Sequence, residues 1–225
     1  MNTRPASRII QEVEIVKHKE TVTRAYNFEI RAENNEKNGD HIIGRPIVYD
    51  SKTDLGYFDE IIEAGALDKA NLKDVRFLVN HNTDMIPLAR SRNNNENSTM
   101  QLTVDKDGMS IRVNLDTENN TEARNLYSAI KRGDITGMSF MFTIDDEEWE
   151  NLESDHPTRH IRKIGTVYEV SAVTFPAYEA TEISARNKEA LESAKATLES
   201  VQRSLDSDKQ KALELEKAKV RNKFF

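Results

Sequence analysis

The sequence contains no cysteine. Disulfides, thiolate nucleophiles and cysteine-based zinc sites are therefore excluded, and the absence agrees with a reducing compartment. Long apolar runs are missing too. No stretch approaches the roughly 20 apolar residues that a membrane helix needs. Residues 1–10 lack the apolar run of a signal peptide. A soluble, intracellular protein with no membrane partner is expected. Basic residues are outnumbered, 32 Lys and Arg against 39 Asp and Glu, for a net charge of −7. Phosphate binding needs a concentrated basic surface. None is visible, so direct nucleic-acid binding is not expected. There is no internal repeat and no HExxH pair, and the other four histidines show no metal-ligand spacing with His81. Neither a metal nor a cofactor is expected.

What the chain does have is an apolar middle between polar ends. Hydrophobic residues make up 37% of the sequence and charged residues 32%. The apolar ones cluster between about Tyr26 and Tyr178, where a core can form. Residues 1–20 are charged, lack a period and read as a flexible arm. Residues 21–30 alternate roughly as a strand does. Residues 34–40 read as a loop. Residues 41–49 form a second strand, in which Pro46 points to an edge or a bulge. Residues 63–72 read as a short helix. The apolar run 75–79 is a compact strand that delivers His81 just past its end. A hairpin follows, with Asp105-Lys106-Asp107-Gly108 as its turn. Asn119 starts a helix with Glu122 as its capping-box partner. Ala123, Leu126, Tyr127 and Ile130 form its apolar face, and Gly133 ends it.

Residues 136–144 form the next strand. Met138, Phe140, Phe142 and Ile144 fall on one face; Gly137, Ser139, Met141 and Thr143 fall on the other. The acidic segment 145–155 reads as an exposed loop. Two strands follow, 160–164 and 166–175. Beyond residue 187 there is neither Gly nor Pro. Leu191, Ala194, Leu198, Val201 and Leu205 make a short heptad seam. Asp208 breaks the seam, and Ser207 with Gln210 caps a second helix through Phe225. The pattern is that of a mainly β, α+β domain with a helical C-terminal tail.

Three residues stand out chemically. His81 sits in Asn80-His81-Asn82 at a strand end, where a scaffold holds a reactive group near solvent. A lone histidine is more often a surface or hydrogen-bonded residue, and His81 by itself decides nothing. Ser139, in Gly137-Met138-Ser139-Phe140, faces away from the bulky side chains, and Gly137 leaves room beside it. A serine on a solvated strand face is the plainer reading. Met141 stands where the last Gly of a GxSxG elbow would be, and the serine lies within a strand, so an α/β-hydrolase is disfavoured. Glu169 lies in the apolar run Tyr168-Glu169-Val170-Ser171. Buried there, its carboxylate needs a partner such as a histidine. On an edge strand it faces water instead.

Six segments in order resemble the prohead proteases of tailed bacteriophages. They are GRPIVY (44–49), IIEAGAL (61–67), FLVNHN (77–82), PLAR (87–90), RGDITGMSFMF (132–142) and YEVSAVTFPAY (168–178). The resemblance spans roughly residues 26–185. It implies the fold shared with the herpesvirus capsid maturation protease, a β-barrel with short embedded helices. With the arm (1–20) and the helical tail (187–225) read from composition, it implies a protease domain at 21–186 and self-cleavage that can remove the tail.

The implied activity is a serine endopeptidase, with Ser139 as nucleophile and His81 as base. Glu169 is the best match for a third member. His160 is its rival, because herpesvirus relatives place a second histidine there. Ala89 and Met141 depart from glycines common in the family, and neither change removes a catalytic group. The resemblance implies the major capsid protein and the scaffold protein as substrates, a homodimer, and a location in the host cytoplasm inside the assembling procapsid. The competing reading is a catalytically silent scaffolding protein of the procapsid that keeps the fold.

Overall fold

The structure is a computed structural model that describes residues 21–26, 30–35, 39–174 and 185–221. The expected arm, residues 1–20, lies outside the described residues, as do residues 175–184 at the end of the last expected strand. No described helix is long and apolar enough to cross a membrane.

Two open sheets carry the fold. The smaller contains β2 (Ile30–Asn35), β3 (Gly39–Val48), β8 (Met100–Asp105) and β9 (Gly108–Asn114), in the order β2-β3-β9-β8. The β8–β9 hairpin is as expected. Gly108 holds φ +135°, and a Cβ there would stand 2.0 Å from the Ile47 carbonyl oxygen. Pro46 falls at a bulge. Gly44 pairs with Ile111 and Ile47 with Met109, so β3 carries one extra residue there. The bulge lets a central strand accept a residue with no N–H to donate. Helix α1 (Thr121–Arg132) buries Ala123, Leu126, Tyr127 and Ile130 and packs on β2 and β3. Its N-cap is Asn120 rather than Asn119. The Asn120 Oδ1 accepts from the amides of Glu122 and Ala123, which leaves no capping box. Gly133, at φ 79°, ends the helix as its sequence suggests.

The larger sheet runs β1 (Thr21–Tyr26), β10 (Gly137–Glu150), β11 (Thr158–Val173), β5 (Asp59–Ile62) and β4 (Thr53–Asp54). A branch adds β6 (Asp74–Val79) to β11, and β7 (Ala89–Arg92) to β6. β10 and β11 are longer than the sequence suggests. The acidic segment expected as a loop continues β10 to Glu150, and the two expected strands are one. Residues 145–150 are exposed or half-buried, and their charges pair across the hairpin, as in Lys163–Asp146. Residues 63–72 form successive turns rather than a helix. Amides of Ala66, Asp68 and Ala70 reach back three residues to Glu63, Gly65 and Leu67.

The closed, herpesvirus-protease-like barrel is not found among the described residues. The two ends of the sheet order, β1 and β4, do not pair, and β4 is too short to close a ladder. The sheet is nonetheless strongly coiled. Arg24 on β1 sits beside Phe140, and Glu60 on β5 sits beside Arg159, which faces Trp149. On a flat sheet, three strand spacings and nine residues would separate Arg24 from Glu60 by about 30 Å. Instead Arg24 Nε and Nη2 meet the two Glu60 oxygens at 2.5 and 2.8 Å. Register shifts between Met141 and Glu147 supply the bend.

The tail is one continuous helix, α2 (Ala185–Arg221), not two. Asp208 and its neighbours are exposed on it, so nothing buried is offended by the charge. Ala194 of the heptad seam is buried, and Leu198, Val201 and Leu205 are half-buried. The Leu191 side chain lies outside the described residues.

The Arg24–Glu60 pair yields a stability prediction. Glu60 has no solvent exposure and also approaches Arg159, itself 1% exposed, at 3.5 Å. Glu60→Ala would leave buried guanidinium charge without its carboxylate, at a cost of about 3–5 kcal/mol. Urea denaturation should show the loss as a lower midpoint; an unchanged midpoint would mean that the pair does not hold the coiled sheet.

Candidate active site

The site is built on the middle of β11 and the two strands that flank it. β6 lies on one side, in parallel, with Arg76 beside Glu169 and Leu78 beside Ser171. β10 lies on the other, antiparallel, with Met141 opposite Glu169 and Ser139 opposite Ser171. Side chains alternate along a strand. The apolar residues Val170, Ala172, Phe77, Met138 and Phe140 therefore face the core together. Ser139, Met141, Glu169 and Ser171 share the other face. That face is not solvated: Ser139 and Ser171 have no exposure and Glu169 has 3%.

β6 ends by placing His81 over this face. Val79 is the last residue in the ladder, beside Ala172. The chain then turns through two consecutive left-handed residues, Asn80 at φ 52° and His81 at φ 56°. Such a conformation costs a non-glycine residue about 1–2 kcal/mol. Asn80 is held on both sides. Its amide donates to the Ala172 carbonyl at 2.9 Å. Its side chain donates to Thr174 Oγ1 and accepts from the Thr174 amide, both at 3.0 Å. Strain of this kind persists where surrounding bonds over-determine the backbone.

The turn brings His81 Nδ1 to 2.6 Å from Glu169 Oε1. The imidazole is 22% exposed and the carboxylate 3%. A buried carboxylate is an acceptor on both oxygens, so it places the ring proton on Nδ1 and leaves the Nε2 lone pair free. Glu169 Oε2 accepts from Ser171 Oγ at 2.6 Å. Ser171 Oγ in turn accepts from the His81 amide at 3.1 Å.

Ser139 stands on the adjoining strand. Residues directly opposite in an antiparallel pair have Cβ atoms about 4.5–5.5 Å apart, which puts Ser139 next to Ser171 and so next to the His81–Glu169 pair. Its hydroxyl, however, donates to the Arg24 carbonyl on β1 at 2.7 Å. The sequence pattern suggested a reachable serine. The structure corrects this, because β1 pairs along β10 from Thr143 to Met138 and flanks the serine.

His160 lies elsewhere. It sits nine residues before Glu169 on β11, and its Nδ1 is 3.1 Å from Glu63 Oε1. Of the remaining histidines, His41 lies near Glu33, His156 meets Asp59, and His18 is outside the described residues. Among the described residues, Asp54, Asp59 and His156 form one cluster of donor atoms. Burial raises the Asp59 pKa, but Lys52 and His156 outweigh it and hold the carboxyl below its ordinary value. Asp59 already has a cationic partner in Lys52 at 2.8 Å.

Two features went unread in the sequence. Ser171 was visible as a second polar residue at i+2 from Glu169, hence on the same face. The Arg24–Glu60–Arg159 network joins charges from three strands distant in sequence, which no spacing connects.

Residues 26–196 match the family model of the caudovirus prohead serine proteases. No curated protein shows significant similarity to the chain. A solved structure of the capsid assembly protease gp21 of bacteriophage T4 is similar over 68% of this chain and 99% of that one, with 14% identity and a TM-score of 0.38.

The turn at Asn80 can be tested directly. Asn80→Gly removes the bonds to Thr174 but suits the backbone; Asn80→Ala removes the same bonds and adds the left-handed cost. Alanine should be the less stable by about 1 kcal/mol. Equal melting temperatures would show that the turn is not strained.

Proposed function

The chain belongs to the caudovirus prohead serine proteases, and on that premise we propose that it is a serine endopeptidase of capsid maturation, with Ser139 as nucleophile, His81 as its base and Glu169 as the residue that orients the base. The observation that carries this reading is the His81 Nδ1–Glu169 Oε1 contact at 2.6 Å, one strand away from Ser139. A free hydroxyl is a weak nucleophile, and a neighbouring base activates it. Ser139 Oγ attacks the peptide carbonyl while His81 Nε2 takes its proton. His81 later gives that proton to the leaving amine. Glu169 keeps Nδ1 protonated and stabilises the imidazolium.

A substrate carbonyl cannot reach a hydroxyl with no exposure. The site therefore opens before chemistry, and the Ser139 hydroxyl leaves the Arg24 carbonyl by turning between staggered rotamers. β1 is the edge strand beside it and the element that must yield. The substrates are the major capsid protein and the scaffold protein, met inside the assembling procapsid. The chain's own arm and the helical tail are further cleavage targets.

The buried state of Ser139 favours one second reading, a catalytically silent procapsid protein that retains the fold. A covalent serine-directed probe separates the two, because labelling at Ser139 requires an activated hydroxyl.

Ser139→Ala, co-expressed with the capsid and scaffold proteins, should abolish their processing, since loss of such a nucleophile costs roughly six orders of magnitude in turnover. Unchanged processing would sink the assignment. Glu169→Gln should impair processing far more than His160→Ala; the reverse order would transfer the third role to His160.

A further inference from the structure

We propose that Ser171 is a positioning residue of this site: its single hydroxyl locks the His81 backbone and the Glu169 carboxylate together, so that the imidazole is held with Nε2 presented as base. The inference rests on the roles given above to Ser139, His81 and Glu169. Ser171 itself would touch neither substrate nor reacting atoms.

A hydroxyl has one hydrogen and two lone pairs. The carboxylate can only accept and the amide can only donate, so both roles of Ser171 Oγ follow. It gives its hydrogen to Glu169 Oε2 at 2.6 Å and accepts the His81 N–H at 3.1 Å. The result is a closed ring of contacts. It runs from the His81 amide through Ser171 Oγ to one oxygen of Glu169, and from the other oxygen back to His81 Nδ1 at 2.6 Å. Every atom of the Ser171 residue is shielded from solvent.

The backbone explains why this bond matters. The parallel ladder of β6 and β11 stops at Val79, and the Asn80 amide still finds the Ala172 carbonyl. The next amide belongs to His81, which is left-handed at φ 56°. It turns to the Ser171 side chain instead of a strand. Removing the hydroxyl takes away the contact that fixes this residue at its backbone, and also the one that fixes the carboxylate at its second oxygen. Nδ1 and Oε1 would each be free to tilt. An error of about 1 Å in a catalytic group can cost ~10²-fold in rate.

The experiment uses the full chain with a fluorophosphonate probe and proton NMR. On labelling, the Ser139 Oγ–P bond forms, fluoride leaves and the proton passes to His81 Nε2. Wild-type protein should label at Ser139 and show a far-downfield Nδ1 proton. Ser171→Ala should label ~10²-fold more slowly and lose the downfield signal, with unchanged circular dichroism. Ser171→Thr, which keeps the hydroxyl, should recover most of the rate. A purely structural role would lower the melting temperature and leave the labelling rate of folded protein alone. If Ser171→Ala does not fold, Ser171→Cys replaces it, with the same slowing expected from a weak donor. Wild-type labelling in Ser171→Ala with the downfield proton retained would overturn the role of Ser171 and leave that of Ser139 intact. A wild type that never labels, but whose downfield proton is lost in Ser171→Ala, would support the lock that Ser171 places on His81 and Glu169 but overturn the protease reading and, with it, the presentation of Nε2 as base. A wild type without the downfield proton would overturn the proposal for Ser171.

Discussion

The pairing of β10 with β11 is the constraint on which the rest depends. Side chains alternate with a period of two, so a slip of one residue would exchange the two faces of either strand. In the observed register, Met138 and Phe140 enter the core with Val170 and Ala172. The same register sets Ser139 opposite Ser171 and Met141 opposite Glu169. The packing of large apolar side chains on one face thus fixes the polar constellation on the other. Burying a Phe or Met side chain is worth about 1.5–3 kcal/mol, and several such residues would be lost together in a slip.

Buried charge is handled in two different ways. Glu60 is sealed between Arg24 and Arg159 with no exposure, and its role is to hold a coiled sheet together. Glu169 is nearly as buried, but its partner is a histidine, 22% exposed. An arginine stays charged at all working pH values, whereas a histidine can take and release a proton. The first arrangement is static and the second is suited to proton transfer. The two meet at Arg24, whose side chain binds Glu60 and whose carbonyl receives the Ser139 hydroxyl. The strand that flanks the serine is therefore anchored by the fold's buried ion pair.

The legible parts of this protein were those set by local chemistry. The β8–β9 turn follows from Asp107-Gly108, the end of α1 from Gly133, and the bulge in β3 from Pro46, because each residue restricts its own backbone. The failures were non-local. Residues 145–150 look like loop because their charges are many, yet the hairpin pairs those charges across strands. Residues 63–72 have helical composition but make turns. The tail reads as two helices, yet α2 runs unbroken past an exposed Asp208. Barrel closure was inferred from resemblance and depends on which strand ends meet, a property no single segment carries.

At the site the division is equally clear. The sequence alone determined which residues have the right chemistry: a histidine past an apolar strand, a serine on the small face of a strand, a carboxylate among apolar neighbours. Ordered motifs tied them to one family. Only the tertiary structure decided that Glu169 rather than His160 meets His81, because that choice depends on parallel pairing of β6 with β11 across a separation of 88 residues. It alone decided that Ser139 is covered, because exposure depends on what lies against the strand. Side-chain type is written residue by residue, whereas proximity and access arise only when strands distant in sequence share one sheet.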